Sequence, residues 1–373
     1  MNEREWKCLT LLEKGKISGS QLVYLMVGFL LGSAVIITPG QAAQQDAWIA
    51  IIIGVIEGLI FALIFTTLAR RFPNKTIVEI LETVFGLYLG KIVGLIFLWY
   101  SFHVGSLVIR NFTDFFTTVI MPETPSVVFA ALMILVSVYA VRNGLEVITR
   151  CSLVLVPLTA FLLLITFLLQ LNQLDFNNFL PLFGTPVWRL LKISHTAAIF
   201  PFGEAVFFLM IFPFLNQTMV SRSKTVIGIL VAAFIINLAS CRGIGALGAS
   251  GSIFSYPSYE AVKLINLPFV NMRLESIVVI NFLAMGFLKI TVLHYSTVLG
   301  LGQLLKFRSV RPLIIPIGIL MIILSIINFS GFTENLEFNE MSNPIYSVFF
   351  QLGIPLITLI VAIVRKLPLR RTG

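Results

Sequence analysis

The sequence contains few charged side chains. Only 12% of its 373 residues are Asp, Glu, Lys or Arg, whereas 58% are hydrophobic, and the mean hydropathy is +0.98. A soluble domain typically carries about 25% charged residues and about 45–50% apolar ones. This deficit argues against a water-soluble enzyme, and we expect an integral membrane protein.

Cysteine and histidine are also scarce, at three residues each. Cys8, Cys151 and Cys241 lie far apart and form no CxxC pair, so the sequence predicts neither a disulfide framework nor a zinc site. We expect no metal and no cofactor. Residues Met1–Lys16 are polar and charged, and they lack the short apolar core and small-residue cleavage site of a secretory signal. We therefore expect no cleavable signal peptide.

Common catalytic signatures are missing as well. The chain has no P-loop, no HExxH pair and no GxSxG nucleophile elbow. A Ser-His-Asp site would need a water-accessible cleft, and no feature of the sequence indicates one. We therefore expect that the protein is not an enzyme.

What the sequence does contain is a series of long apolar stretches. A stretch of about 20 apolar residues crosses a bilayer core about 30 Å thick. These stretches are apolar on all sides instead of alternating with polar residues, so they indicate helices and not the strands of a barrel. We predict an all-α protein of about ten transmembrane helices. The ten predicted spans are Ser18–Pro39, Ala47–Ala69, Leu89–Ile109, Val127–Val141, Cys151–Leu171, His195–Leu215, Thr225–Leu247, Leu274–Leu305, Leu313–Phe329 and Ile345–Val364.

The distribution of basic residues supports this division. Of the 26 Lys and Arg residues, nineteen lie in or beside connections on one side of the ten spans, six lie in or beside those on the other side, and Lys289 lies at the middle of the eighth span. Cytoplasmic connections carry the excess of Lys and Arg, so both termini are predicted to be cytoplasmic. The net charge of +9 then reflects membrane topology and not nucleic-acid binding, since no basic tract is interleaved with aromatic residues.

Two connections have the pattern of short surface helices. Thr76–Leu87 carries apolar residues on one side and Glu79 and Glu82 on the other, and Pro257–Leu267 starts with a proline suited to a first helical turn. One follows the second span on the inside, and the other follows the seventh span on the outside. They are either two unrelated amphipathic loops or the equivalent parts of two inverted halves. The second interpretation predicts one transmembrane domain, 1–373, with halves at about 18–171 and 195–364.

Residues that interrupt helices occur in the first and sixth spans, which are the first helix of each half. Paired interruptions of this kind are the best pointer in a sequence to a transporter binding site. Glycines that allow close helix packing, and a tolerated proline, are the alternative for each break taken alone. The paired placement beside a carboxylate favours a site. The candidate ligand-binding residues at the breaks are Gly28, Gly32, Ser33, Ala34, Pro201, Phe202, Gly203 and Glu204.

The chemistry of the two breaks suits an amino acid. Pro201 has no N–H and crowds the carbonyl of Ala197, so carbonyls near it are free to accept hydrogen bonds from an ammonium group. Gly32 and Ser33 can expose amides at the start of a half-helix, where the helix dipole favours a carboxylate. A small zwitterion would satisfy both sets of groups.

Three charged residues lie near the middle of predicted spans, far from either end. A charge at the centre of a bilayer costs roughly 2.5–3.5 kcal/mol on insertion scales, so Glu57, Glu204 and Lys289 are expected to be functional and paired. Lys289 has two candidate partners, Glu57 and Glu204. The alternative is that Lys289 extends towards the inner surface, with its charged end in water.

Two histidines and a tyrosine complete the candidates. Tyr100 and His103 lie one turn apart in the third span, and His294 lies in the eighth. We expect Tyr100 and His103 to line a ligand pocket and His294 to join a charge network with Glu57 and Lys289. The alternative is that a membrane histidine bonds a neighbouring helix.

In these motifs the chain resembles the endospore germination permeases, the B subunits of spore germinant receptors within the amino acid–polyamine–organocation superfamily. The resemblance covers nearly the whole sequence. Its motifs, in order, are Gly32…Pro39, Asp46-Ala47-Trp48, Phe72-Pro73-Asn74-Lys75-Thr76, Pro122-Glu123-Thr124-Pro125, Arg142-Asn143-Gly144, Leu180-Pro181, Phe200-Pro201-Phe202-Gly203-Glu204, Tyr256-Pro257 and Arg273-Leu274-Glu275.

The resemblance implies a five-plus-five inverted repeat, a place in the inner membrane of a spore, and assembly with a larger A subunit and a lipoprotein C subunit. It implies recognition of a nutrient germinant, often an amino acid, in a pocket lined by the first and sixth helices with the third and eighth. In many transporters that resemble this fold, a sodium ion lies between the first and eighth helices. Lys289 would place an ammonium group there instead.

Three functions are compatible with these observations. The first is a ligand sensor that signals through partner subunits. The second is an active amino-acid secondary transporter, which could be proton-coupled. The third, an ion or water channel, is less favoured because the sequence shows no ring of charges and no repeated filter motif.

Overall fold

The structure, a computed structural model, describes residues 15–216, 222–265 and 273–368. Within these ranges the chain is helical, and a single bridge between Ile17 and Leu215 is the only strand-like pairing. The prediction of an all-α fold is confirmed. The helices are α1 Gly19–Leu31, α2 Ala47–Arg71, α3 Ile77–Phe85, α4 Leu87–Phe115, α5 Ser126–Arg142, α6 Leu145–Gln170, α7 Val187–Ile199, α8 Arg222–Leu247, α9 Pro257–Lys263, α10 Glu275–Leu304, α11 Arg311–Ile327 and α12 Phe332–Val364.

Seven of the helical segments in the described ranges are long and apolar enough to cross a membrane. They contain α2, α4, α6, α7, α8, α10 and α12. The shorter helices α1, α5 and α11 are also apolar and correspond to the remaining predicted spans. The chain is thus a multi-pass membrane protein, and the count of ten spans stays a prediction.

The first and sixth spans are broken at the predicted positions. Helix α1 ends at Leu31, Gly32 leaves the helical conformation, and the chain continues as a short 3-10 segment, Ser33–Val35. Helix α7 ends at Ile199, Phe200 is extended, and a 3-10 helix follows over Phe202–Met210. The pyrrolidine ring of Pro201 cannot continue the α-helical hydrogen-bond ladder, which accounts for the second break.

Two predicted boundaries are wrong. The sixth span begins at Val187 and not at His195, because its first turns carry Trp188, Arg189 and Lys192 and so lack an apolar signal. The connection between the predicted ninth and tenth spans, 330–344, is mostly helical, since α12 already starts at Phe332. Helix α12 contains two π-helical turns, which change the register of its side chains and obscure the helical period in the sequence.

Both predicted surface helices are present. Helix α3 starts with a capping box, in which the Thr76 side chain accepts a hydrogen bond from the Glu79 N–H and the Glu79 side chain accepts one from the Thr76 N–H. Helix α9 starts at Pro257. The apolar side of α3 is buried against the protein, with Ile77, Ile80 and Leu81 fully shielded. Helix α3 is therefore a packed part of the bundle and does not rest on lipid alone.

Candidate functional site

A buried ion pair lies at the centre of the bundle. The Lys289 ammonium in α10 contacts the Glu204 carboxylate in the first turn of Phe202–Met210. The Lys289 side chain is fully buried and that of Glu204 is 7% exposed. The Lys289 Nζ also lies 4.6 Å from the ring centre of Phe200 and 5.5 Å from that of Phe29. The ammonium is therefore held by one carboxylate and by aromatic faces.

The same lysine contacts the break in the first span. Gly32 lies so close to Lys289 that a Cβ atom on Gly32 would overlap the Cβ and Cδ atoms of that side chain. Lys289 thus joins the two breaks, with its stem on Gly32 and its charge on Glu204. The alternative in which Lys289 extends to the inner surface is wrong, because its whole side chain is shielded.

Glu57 is not part of this pair. Its Oε1 lies 2.7 Å from Nδ1 of His195, and both side chains are partly exposed. The predicted network of Glu57, Lys289 and His294 is therefore wrong in the described structure. Glu57 lies on the outer rim of the contact between α2 and α7, where it cannot reach Lys289.

His294 has a structural role. Its Nδ1 lies 3.0 Å from the Ser137 hydroxyl in α5, and its Nε2 lies 2.9 Å from the Ile314 carbonyl in α11. One ring nitrogen donates and the other accepts, so the ring links three helices. This is the alternative in which a membrane histidine bonds its neighbours.

Gln351 is a site residue that sequence reasoning missed. Its Nε2 donates to the Tyr100 hydroxyl at 2.7 Å and to the Ile199 carbonyl at 3.1 Å. That carbonyl belongs to the last turn before the Pro201 break. The Gln351 Oε1 is buried and has no partner among the described residues, and a Cβ atom on Gly203 would collide with it. A polar side chain in an otherwise apolar span was the available signal.

Tyr100 and His103 lie in an aromatic layer beside this junction. Tyr100 stacks on Phe350 at 4.5 Å between ring centres and on Phe207 at 5.3 Å. The His103 ring lies 5.4 Å from that of Tyr346, and its Nδ1 is buried without a partner in the described chain. Tyr100 reaches the sixth-span break through Gln351, whereas His103 lies one turn further out.

The remaining break residues have different surroundings. Ser33 is buried, and its hydroxyl has no partner within the described ranges, while Ala34 is buried beside it. Gly28 lies one turn before the break, where α1 packs closely on Leu288 of α10 and Val156 of α6. Close helix packing accounts for Gly28. Phe202 packs on Gly58 of α2 and is also a packing residue.

A cavity of about 270 Å³ lies above the junction on the predicted outer side. Its walls come from the segment after the first span, from α7 and from the outer part of α12. Arg189, Lys192 and Glu340 give it charges of both signs, and Phe200 also lines it. We call this cavity the vestibule. Phe200 contacts both the vestibule and the Lys289 ammonium, so its ring separates the two.

One glycine-rich run has the spacing of a nucleotide-binding loop but not its structural context. Gly243–Gly248 has the GxGxxG spacing of dinucleotide-binding loops. Such a loop must follow a strand and open a helix, whereas this run lies at the C-terminal end of α8. It gives no indication of a nucleotide.

Residues 16–332 match the family described as Spore germination protein. The chain belongs to this family. It is 30% identical over 360 residues to Spore germination protein KB of Bacillus subtilis (strain 168), covering 95% of this chain and 96% of that protein. It is 23% identical over 315 residues to Spore germination protein YndE of the same organism, covering 83% and 85%. The resemblance found in the sequence is confirmed.

Solved transporters share the fold. The nucleobase-cation-symport-1 family transporter MHP1, in a closed conformation with bromovinylhydantoin bound, superposes with a TM-score of 0.66 at 14% identity over 92% of this chain and 79% of that one. MhsT in complex with L-phenylalanine gives 0.62 at 15% identity over 94% and 99%. A substrate-bound Na+-coupled sialic acid symporter gives 0.66 at 14% identity over 92% and 79%. At these identities the comparisons show a common fold only.

Proposed function

We propose that this chain is the nutrient-sensing membrane subunit of a spore germinant receptor, and that it binds an amino acid where the breaks of the first and sixth spans meet. The observation that carries the proposal is the buried Lys289–Glu204 pair. It places one positive and one negative group at the two breaks, which is the polarity that a zwitterion requires. Family membership supports the germination role.

The groups around the pair support binding of a small polar molecule. The Ser33 hydroxyl and the Gln351 Oε1 are buried without partners in the described ranges, and an unsatisfied buried polar atom is costly. A bound ligand would supply the missing hydrogen bonds. Gly32 and Gly203 bring the backbone close to the same point. The ligand would enter through the vestibule after a rotation of the Phe200 side chain.

Sensing requires a partner that receives the signal. We propose that the A and C subunits of a germinant receptor are these partners, and that the complex lies in the inner membrane of the spore. Both statements rest on membership of the family. No nucleic acid and no cofactor enter this account.

The test is germination of a strain that lacks this gene and carries it again on a plasmid. Spores would be exposed to each amino acid in turn. The proposal predicts that at least one amino acid triggers germination only in the complemented strain. A Gly203→Ala copy should lose that response, since its Cβ would displace Gln351. The proposal would be refuted if the deletion strain and the complemented strain gave the same germination response to every amino acid.

Active transport of amino acids is the second candidate, because the fold is shared with symporters that bind small molecules. Uptake of labelled amino acid into proteoliposomes separates the two functions. A transporter gives flux above empty liposomes, and that flux stops when the ion gradient is collapsed if it is proton-coupled. A sensor gives saturable binding without flux.

A further inference from the structure

The Glu57–His195 pair lies on the outside of the helical bundle. Its side chains are 31% and 37% exposed, whereas Lys289 and Glu204 are shielded. Neither residue of the pair lines the vestibule. The exposed parts of Glu57 and His195 therefore face the surroundings of the protein and not an internal cavity.

Glu57 lies near the middle of the apolar span formed by α2. Helix α2 runs from Ala47 to Arg71, so Glu57 is about 15 Å along the helix from one end and about 21 Å from the other, at roughly 1.5 Å per residue. The hydrocarbon core is about 30 Å thick. On an isolated chain the pair would face hydrocarbon, which offers no hydrogen bonds.

Close packing of the two helices prevents the pair from turning inward. A Cβ atom on Gly54 would lie 2.9 Å from both the Ala198 nitrogen and the Ser194 carbonyl oxygen of α7, and Gly58 lies against Phe202 in the same way. With the backbones this close, no space for a carboxylate and an imidazole remains between α2 and α7. The pair is fixed at the rim of their contact.

The exposed side chains beside the pair are mostly apolar, and Lys192, one turn before His195, is the exception. Ile56 and Ile60 on α2 are 58% and 54% exposed, and Leu191 on α7 is 54% exposed. We call the surface formed by Ile56, Glu57, Ile60, Leu191 and His195 the α2/α7 face. Its Ile and Leu side chains suit lipid, but its polar pair does not, because ionisable residues in membrane spans rarely face lipid and polar side chains there bond across helices.

The free atoms of the pair define the partner. His195 donates Nδ1–H to one Glu57 oxygen, which leaves the second Glu57 oxygen as an acceptor. That oxygen has no hydrogen bond to another described residue. A partner must therefore supply a donor, and a lipid tail has none.

We propose that the α2/α7 face is the docking surface for a transmembrane helix of a different subunit, which places an amide or basic side chain beside Glu57 at the middle of the membrane. The inference goes beyond nutrient binding. It holds whether the chain senses or transports its ligand, because it depends only on the exposure and depth of the pair.

The experiment uses a photo-crosslinking amino acid at Ile60 of the full chain in its native membrane. Leu135 on α5, which is 67% exposed, is the matched control position. We expect an adduct from position 60 and none from position 135. The crosslinked peptide of the partner should be an apolar segment that carries Lys, Arg, Asn or Gln near its centre.

Substitutions at Glu57 then test the pair itself. Glu57→Leu should lower the adduct yield about tenfold, the effect of one lost hydrogen bond, and Glu57→Gln, which keeps an acceptor oxygen, should retain most of it. The purified Glu57→Leu chain should melt close to the wild type, because a partly exposed ion pair contributes little to the stability of the isolated fold.

Four results would overturn the inference. The first two are an adduct between two copies of this chain and equal adduct yields from positions 60 and 135. The other two are the absence of an adduct from position 60 and an adduct yield that Glu57→Leu leaves unchanged. A normal germination response of the Gly203→Ala variant, with an intact adduct from position 60, would count against the proposed ligand site and leave the docking surface standing.

Discussion

Lys289 and Glu204 form a salt bridge between α10 and the inner part of the broken sixth span, and the stem of the same lysine fills the space left by Gly32 in the first span. Three elements of the bundle therefore meet at one pair of charges. A movement of either break must change the surroundings of this pair. We infer that ligand binding at the breaks is transmitted to the rest of the bundle through this ion pair.

Removal of one partner should be more harmful than removal of both. Lys289→Met leaves the Glu204 carboxylate buried without a counter-charge, and we expect it to lower the free energy of unfolding by about 3–5 kcal/mol. The double variant Lys289→Met/Glu204→Leu should recover most of this loss, because no buried charge remains. Thermal melting of the purified protein checks the order.

The double variant also separates stability from function. It should reach the membrane in normal amount and still fail to trigger germination, since it no longer offers opposite charges to a ligand. A double variant with a normal nutrient response would show that the pair has a purely structural role.

The position of Lys289 predicts a response without sodium. Its ammonium already supplies a positive charge between the first and eighth spans, so no metal cation is needed there. Replacement of sodium by choline should leave the nutrient response of wild-type spores unchanged. A nutrient response that strictly required sodium would show that Lys289 does not take the place of a metal cation.

Gly32 and Gly203 must remain small. A Cβ atom on either would overlap Lys289 or Gln351, so Gly32→Ala and Gly203→Ala should abolish the nutrient response while the protein still inserts. Gly243→Ala is the matched control, because nothing lies within 4 Å of its added Cβ. Gly58 is unsuitable as a control, since its Cβ would meet Phe202. Equal responses in all three variants would contradict the site.

The topology can be tested with single cysteines in a background without native ones. Gly331 has open space around it, and ten spans place it outside. Gly331→Cys should react with an impermeant maleimide on intact cells, and Arg308→Cys should react only after permeabilisation. The two inverted halves at about 18–171 and 195–364 stay a prediction. Labelling of Arg308→Cys on intact cells, with Gly331→Cys labelled only after permeabilisation, would contradict the ten-span arrangement.

The sequence was sufficient for the architecture because apolar length and the positions of helix breakers are local properties. Gly32 and Pro201 interrupt their helices wherever these pack, and the capping box at Thr76 forms within four residues. The start of the sixth span was missed because Trp188, Arg189 and Lys192 line the vestibule and so carry no apolar signal.

The contacts between helices were predicted less well. Glu57 and Glu204 were equal candidates for Lys289, and the packing of Gly54 on α7 and of Gly58 on Phe202 keeps Glu57 at the surface. Gln351 was missed because two π-helical turns in α12 set which side of the helix reaches Ile199. Such choices depend on tertiary distances that spacing along the chain does not contain.

The most direct test of the account is binding of labelled amino acids to the purified chain in lipid nanodiscs. We predict saturable binding of at least one amino acid to the wild type and to Gly243→Ala, and none to Gly203→Ala or to Lys289→Met/Glu204→Leu. Binding of that amino acid to all four proteins with equal affinity would show that the ligand site lies elsewhere.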